Sequence, residues 1–86
     1  MQVSVYTVHF AGIPFGDAHR IASRYFRGAT LYRTAGVWQG FLEESVTLQV
    51  IGDDIKTVRE FAEAVKSAGR QEAVYVLRSL QDLEVV

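Results

Sequence analysis

Between Gln2 and Phe10 apolar and polar positions alternate in a run of β-branched and aromatic residues, which predicts a strand. Ala11-Gly12-Ile13-Pro14 breaks the run. From about Phe15 to Arg27 the period becomes helical, with Ala18, Ile21, Ala22, Tyr25 and Phe26 on one stripe. Pro14 suits a helix start, where its missing N–H goes unpaired in any case, and Asp17 in the first turn complements the helix dipole. Gly28 is expected to end this helix as a left-handed cap. Ala29 to Gly40 reads as a long strand with a bulge or bend at Gly36, and Phe41 to Glu44 as the turn after it. Ser45 to Ile51 alternates cleanly, with Val46, Leu48 and Val50 opposed to Ser45, Thr47 and Gln49. Gly52-Asp53-Asp54 supplies a turn and an N-cap. Ile55, Val58, Phe61, Ala62 and Val65 form a second helical stripe, ending near Ser67 with Gly69 as its stop. Lys56–Glu60 and Arg59–Glu63 are spaced for ion pairs along that helix. Glu72 to Ser79 is the last strand, and Gln81 to Val86 a tail or short extra strand.

The order strand, helix, strand, strand, helix, strand makes two split βαβ units around a central hairpin. Right-handed crossovers place both helices on one face of a four-stranded antiparallel sheet. The expected fold is therefore α+β, a single ferredoxin-like βαββαβ plait over residues 1–86. The other sheet face meets water unless something covers it. Strand three is polar at alternate positions, as a solvated face requires. Strand one is not: Val3 and Val5 lie opposite Tyr6, Val8 and Phe10. Strand four sets Val74 and Val76 against Ala73, Tyr75 and Leu77. Apolar side chains are left over on either choice of face, and such a patch marks an interface or a ligand surface. A chain this short buries only roughly 60–65% of its unfolded surface. With no cysteine to cross-link it, a homo-oligomer is expected.

Composition removes several classes. Nine Lys and Arg stand against ten Asp and Glu, a net charge of −1. The absence of Cys excludes a disulfide scaffold and a thiolate metal centre. No apolar run reaches the ~18 residues of a membrane span. The first residues lack the basic-then-apolar profile of a leader, so no membrane and a cytoplasmic location are expected. There is no G-x-S-x-G elbow and no phosphate loop, and the adjacent Glu43 and Glu44 would point to opposite faces of a strand. No catalytic residue is assigned, and an enzyme is not expected. His9 and His19 lack ligand spacing, so neither a metal nor a cofactor is expected. Strand three carries none of the basic and aromatic residues of an RNA-binding plait, which argues against a nucleic acid polymer as partner.

Arginine is the feature that remains. Seven of the nine basic residues are Arg. Arg20, Arg24 and Arg27 fall at helical spacing on one stripe, and guanidinium forks grip phosphate or carboxylate with two hydrogen bonds. Completed by Arg33 or Arg70 from a neighbouring subunit, the stripe is a candidate phosphate clamp; the alternative is a solvated face paired with Asp and Glu. Trp38, Tyr32 and Tyr6 offer stacking surfaces for a base, or else pack a core or an interface. His9, at the end of strand one, is a ligand contact or a pH-sensitive group.

Phe26, Gly28 and Thr30 are followed by Gly36-Val37-Trp38-Gln39-Gly40, by Glu43-Glu44-Ser45 and by Gln71-Glu72-Ala73-Val74. These phrases (F-x-G-x-T, G-x-W-x-G, E-x-S, Q-E-A-V) resemble, in order, those of a group of small uncharacterised ferredoxin-like proteins of bacteria and their phages. In strand order and hairpin placement the chain also resembles the CutA and PII-like trimers, whose metal and nucleotide motifs are not recognisable in it. The first resemblance implies a plait without an established activity. Its phage members imply a protein that captures a host immune nucleotide. The resulting expectation is a homo-oligomer, in the host cytoplasm if phage-encoded, that binds a small anionic ligand such as a cyclic nucleotide or ADP-ribose derivative. Arg20, Arg24, Arg27, Arg33, Tyr32, Trp38 and His9 are the expected contacts. A non-catalytic protein–protein interaction module and a small dimeric plait-type enzyme are the alternatives.

Overall fold

A computed structural model describes residues 1–52 and 54–86. The chain runs β1 (Gln2–Ala11), α1 (Phe15–Tyr25), β2 (Thr30–Trp38), β3 (Phe41–Ile51), α2 (Ile55–Ala68), β4 (Tyr75–Asp82). The strands form one sheet in the order β2-β3-β1-β4, every neighbouring pair antiparallel. This is the ferredoxin-like plait. Tyr6, Val8 and Phe10 of β1 and Val46, Leu48 and Val50 of β3 face the helices. They meet Ala18 and Ala22 of α1 and Val58, Phe61, Ala62 and Val65 of α2. Phe61 is the hub: its ring lies 5.6 Å from Phe10, 6.0 Å from Tyr25 and 5.4 Å from Phe26, centroid to centroid. Tilted and edge-on rings at these distances add to the area they bury.

Several boundaries differ from expectation. Helix α1 ends at Tyr25, not Arg27, because Phe26 turns extended (φ −128°, ψ 138°) and drops its ring into the core. Gly28 is not a left-handed cap; its φ lies outside the positive range. The β2–β3 turn is Gln39-Gly40, both at positive φ (50° and 81°), rather than Phe41 to Glu44. Two successive left-handed residues suit the twist of a two-residue hairpin. Phe41 to Glu44 belong to β3, and β2 pairs with β3 one-to-one through Gly36↔Glu43, so Gly36 is not a bulge. β4 is shifted three residues along the chain from the expected span, running to Asp82; Leu83 to Val86 form no strand.

At α2, Asp54 is the N-cap, accepting a hydrogen bond from the Lys56 backbone N–H (3.2 Å). The part of the cap expectation that falls on Asp53 lies outside the described residues. The helix closes with Gly69 N–H on the Val65 carbonyl and Gln71 N–H on the Lys66 carbonyl, both at 2.9 Å. Among the described residues the one ion pair is Arg20–Asp17; neither Lys56–Glu60 nor Arg59–Glu63 closes.

Candidate functional site

The strand register divides the candidate residues between the two sides of the sheet. On the helix side, Arg20 and Arg24 of α1 line a cleft of about 330 Å³ with Gly12, Ile13, Pro14, Ile21 and Ala68. The cleft lies between the β1–α1 loop, the outer face of α1 and the end of α2. Its size falls in the range of small-molecule sites, and its wall is an apolar strip edged by guanidinium groups. Asp17 also lines it and pairs with Arg20, whereas Arg24 makes no ion pair among the described residues. Arg27 lies past the end of the helix and does not line the cleft, so the three-arginine stripe shortens to two. Arg33 projects from β2 on the helix side, its guanidinium carbon 4.4 Å from the centroid of the Phe15 ring. That is a cation–π contact capping the start of α1.

His9, Tyr32 and Trp38 stand on the open face. One cross-sheet row reads Tyr75–His9–Thr47–Tyr32, from edge to edge. Three strand spacings of about 4.8 Å put its ends ~14 Å apart. Within and beside this row the side chains bond to one another. His9 Nδ1 is 2.6 Å from Thr47 Oγ1, Thr47 Oγ1 is 3.1 Å from Thr34 Oγ1, and Thr34 Oγ1 is 2.8 Å from Ser45 Oγ. Thr47 is only 6% exposed, the one buried polar residue among those described. No buried side-chain polar atom among the described residues lacks a partner.

Beyond Ala11↔Ser45, β3 has no partner but β2, and the hairpin continues as a two-stranded ribbon. Trp38 and Phe41 face each other on its open side, 65% and 77% exposed. Val37 and Leu42 face each other on the reverse, 75% and 80% exposed. A ribbon of two strands is marginal on its own. One with large apolar side chains on both sides is built to be covered.

Thr34, Ser45, Thr47, Phe41 and Tyr75 join the candidates only in the structure. The polar alternation of Ser45 and Thr47 is visible in the sequence. Their partnership with Thr34 is not, because a turn at Phe41 to Glu44 puts Thr34 opposite Ile51 rather than Ser45. The left-handed Gln-Gly turn is the signal that sets the register.

No protein-family model and no curated protein matches the chain by sequence. Its fold, an antiparallel plait with one open face and a long central hairpin, recurs among solved structures. A nitrogen-regulatory PII-like protein of Thiomonas intermedia K12, described as bound to ADP, AMP and bicarbonate, superimposes with a TM-score of 0.64. The match covers 99% of this chain and 98% of that one at 11% identity. The periplasmic divalent cation tolerance protein CutA of Archaeoglobus fulgidus gives a TM-score of 0.55 over 99% and 88% of the chains at 15% identity. These likenesses are of fold. Among the described residues no group of three or more His, Asp or Glu is placed to hold a metal ion, and no helix is long and apolar enough to cross a membrane.

Proposed function

We propose that the chain is a non-catalytic, homo-oligomeric binding protein that captures a small anionic, nucleotide-like ligand between subunits. The observation that carries this reading is the cleft at Arg20 and Arg24: an apolar strip for a planar body, with a guanidinium free for its phosphate. Stacking groups are the other half of such a site, and within one protomer they lie elsewhere, at the hairpin tip and on the open face. The protruding ribbon supports a composite pocket, in which Trp38 of one copy reaches the arginines of the next. Neither Arg27 nor Arg33 lines the cleft of its own protomer; in this reading they reach it from a neighbouring copy, and Tyr32 and His9 belong to the assembled face. The PII-like neighbour, bound to ADP and AMP, supports the ligand class. The resemblance to small phage proteins supports one step more: sequestration of an immune signal, a cyclic nucleotide or an ADP-ribose derivative, in the cytoplasm of the host. Capture needs no bond breaking and no cofactor.

Native mass spectrometry before and after denaturation, followed by calorimetric titration with ADP, ADP-ribose and a cyclic dinucleotide, tests this. The expected result is an oligomer that binds at least one probe, with Arg24→Glu losing the binding and keeping the assembly. An Arg24→Glu variant of unchanged affinity overturns the site. A monomer that binds none of the probes transfers the assignment to a protein–protein interaction module, the reading that the doubly apolar ribbon favours on its own.

A further inference from the structure

The charged side chains that line the cleft all come from one helix. Asp17, Arg20 and Arg24 stand at i, i+3 and i+7 of α1, which is one helical face. Ile21, Ala68 and the Gly12-Ile13-Pro14 loop supply the rest of the wall and carry no charge. Asp17 Oδ1 accepts a hydrogen bond from Arg20 Nη2. Arg24 has no such partner among the described residues. The cleft therefore offers one open guanidinium fork, with an engaged guanidinium and its carboxylate beside it. Two guanidinium groups against one carboxylate leave a surplus of a single positive charge.

Donor count and charge count then select the same group. A fork presents two parallel N–H donors. A phosphodiester presents two non-bridging oxygens and one negative charge, so one fork satisfies both oxygens and the surplus balances the charge. A terminal phosphate presents three oxygens and about −1.5 to −2 charges at neutral pH. Its third oxygen meets Arg20, which is taken, and Asp17, which repels it. In the composite pocket a neighbour's Trp38 covers the cleft. Water is then excluded, and a charge left without a partner costs more than it does in solvent.

We infer that the group held on Arg24 is a phosphodiester, that the ligand is accordingly a cyclic nucleotide, and that Asp17 excludes terminal phosphates. This ligand class rests on the capture reading above and narrows it. An ADP-ribose derivative sets two charges side by side on its pyrophosphate. A cyclic nucleotide carries one charge per phosphorus, and any second phosphodiester lies a nucleoside away. A cleft of about 330 Å³ stands at the low end of small-molecule sites, which suits one nucleotide unit. The second unit of a cyclic dinucleotide extends beyond it, toward the arginines that a neighbouring copy brings in that reading.

Cyclic AMP and 5′-AMP test this, because they share base, sugar and phosphorus and differ in the ester. The guanosine pair is titrated beside them, since an apolar strip stacks any base. Calorimetry at pH 7.5 should show the wild type binding the cyclic member of each pair more tightly. In Asp17→Asn the cyclic member should gain about 1.4- to fivefold. Electrostatic gains scale with the charge of the ligand, so the 5′-phosphate should gain about the square of that, ~2- to 25-fold, and the preference shrinks. Asp17→Glu keeps the carboxylate and should keep the preference. A loss of stability in either variant lowers both affinities together, so their ratio reports selectivity alone. A wild type without preference for the cyclic member, in which Arg24→Glu still abolishes binding, overturns the phosphodiester and leaves the site standing. An Asp17→Asn that raises both affinities equally overturns the role of Asp17. A wild type that binds none of the four probes, or an Arg24→Glu that binds the cyclic member unchanged, defeats the site itself.

Discussion

Gly12 and Gly69 pack backbone against backbone, joining the β1–α1 loop to the end of α2. A Cβ built on Gly12 would stand 2.5 Å from the Gly69 carbonyl oxygen, and Gly12 sits at φ +78°, where L residues are strained. Gly69 in turn approaches the Ala11 carbonyl too closely for a side chain of its own. Gly12 and Ala68 both line the Arg20–Arg24 cleft, so this contact sets the width of the candidate site.

Gly12→Ala is expected to destabilise the fold by at least about 2 kcal/mol, from the left-handed φ and the displacement of Gly69 together. In a domain of this size each kcal/mol lowers Tm by ~4–8 °C. Gly16→Ala supplies the contrast: Gly16 lies in α1, has no positive φ, and leaves open space for 4 Å around the place a Cβ would take. It should gain about 0.5–1 kcal/mol from helix propensity. Thermal melts of the two variants check both signs, and equal effects would defeat the account of Gly12.

The close contact also explains the end of α2. Its left-handed residue, the position that usually takes Gly, is Arg70 (φ 53°). The glycine stands one place earlier because Gly69 is needed for the contact with the β1–α1 loop. Arg70→Gly removes the strain of a left-handed non-glycine residue, ~1–2 kcal/mol, against the greater freedom of glycine in the unfolded chain. A net gain of about 0.5–1 kcal/mol is expected in denaturant titration. A loss of stability would mean that the Arg70 side chain contributes a contact larger than the strain.

The plait is legible in the sequence because its signals are periodic. Val46, Leu48 and Val50, and Val58, Phe61, Ala62 and Val65, are core in the structure as their spacing requires. Single-residue decisions are less legible. Gly28 carries the usual mark of a helix stop, yet α1 ends earlier because burying Phe26 outweighs two more residues of helix. Gln39-Gly40 lacks the Asn or Asp that announces a left-handed turn, so Phe41 and Leu42 read as loop when they are strand. The candidate site suffers most. Which face a strand residue takes depends on register, and register separates Arg20 and Arg24 from Tyr32, Trp38 and His9.

Asp17 occupies Arg20 at the mouth of the cleft. Asp17→Asn releases that guanidinium for an anionic ligand. An exposed pair is worth about 0.2–1 kcal/mol, so affinity for the bound probe should rise by about 1.4- to fivefold. The same change removes an acidic residue from the first turn of α1 and should lower stability by about 0.3–1 kcal/mol. Tighter binding in a less stable protein is the expected pair of results, from calorimetry and thermal melts. Weaker binding would show that Asp17 contacts the ligand itself or that the cleft is not the site.

The hairpin ribbon separates assembly from folding. Trp38 and Phe41 stand outside the core cluster of their own protomer and are largely exposed. Replacing both, Trp38→Ser with Phe41→Ser, therefore removes apolar surface that the isolated fold does not use. The β2–β3 ribbon loses the cross-strand pair Trp38↔Phe41, worth about 0.2–1 kcal/mol, and the melt should move by only a few degrees. Assembly should fail, because a covered Trp or Phe contributes ~1.5–3 kcal/mol to whatever covers it. Sedimentation at a concentration where the wild type is associated reads the outcome. A variant that stays associated places the contact away from the ribbon, and the ribbon then has no part in bringing Trp38 to a neighbour's arginines.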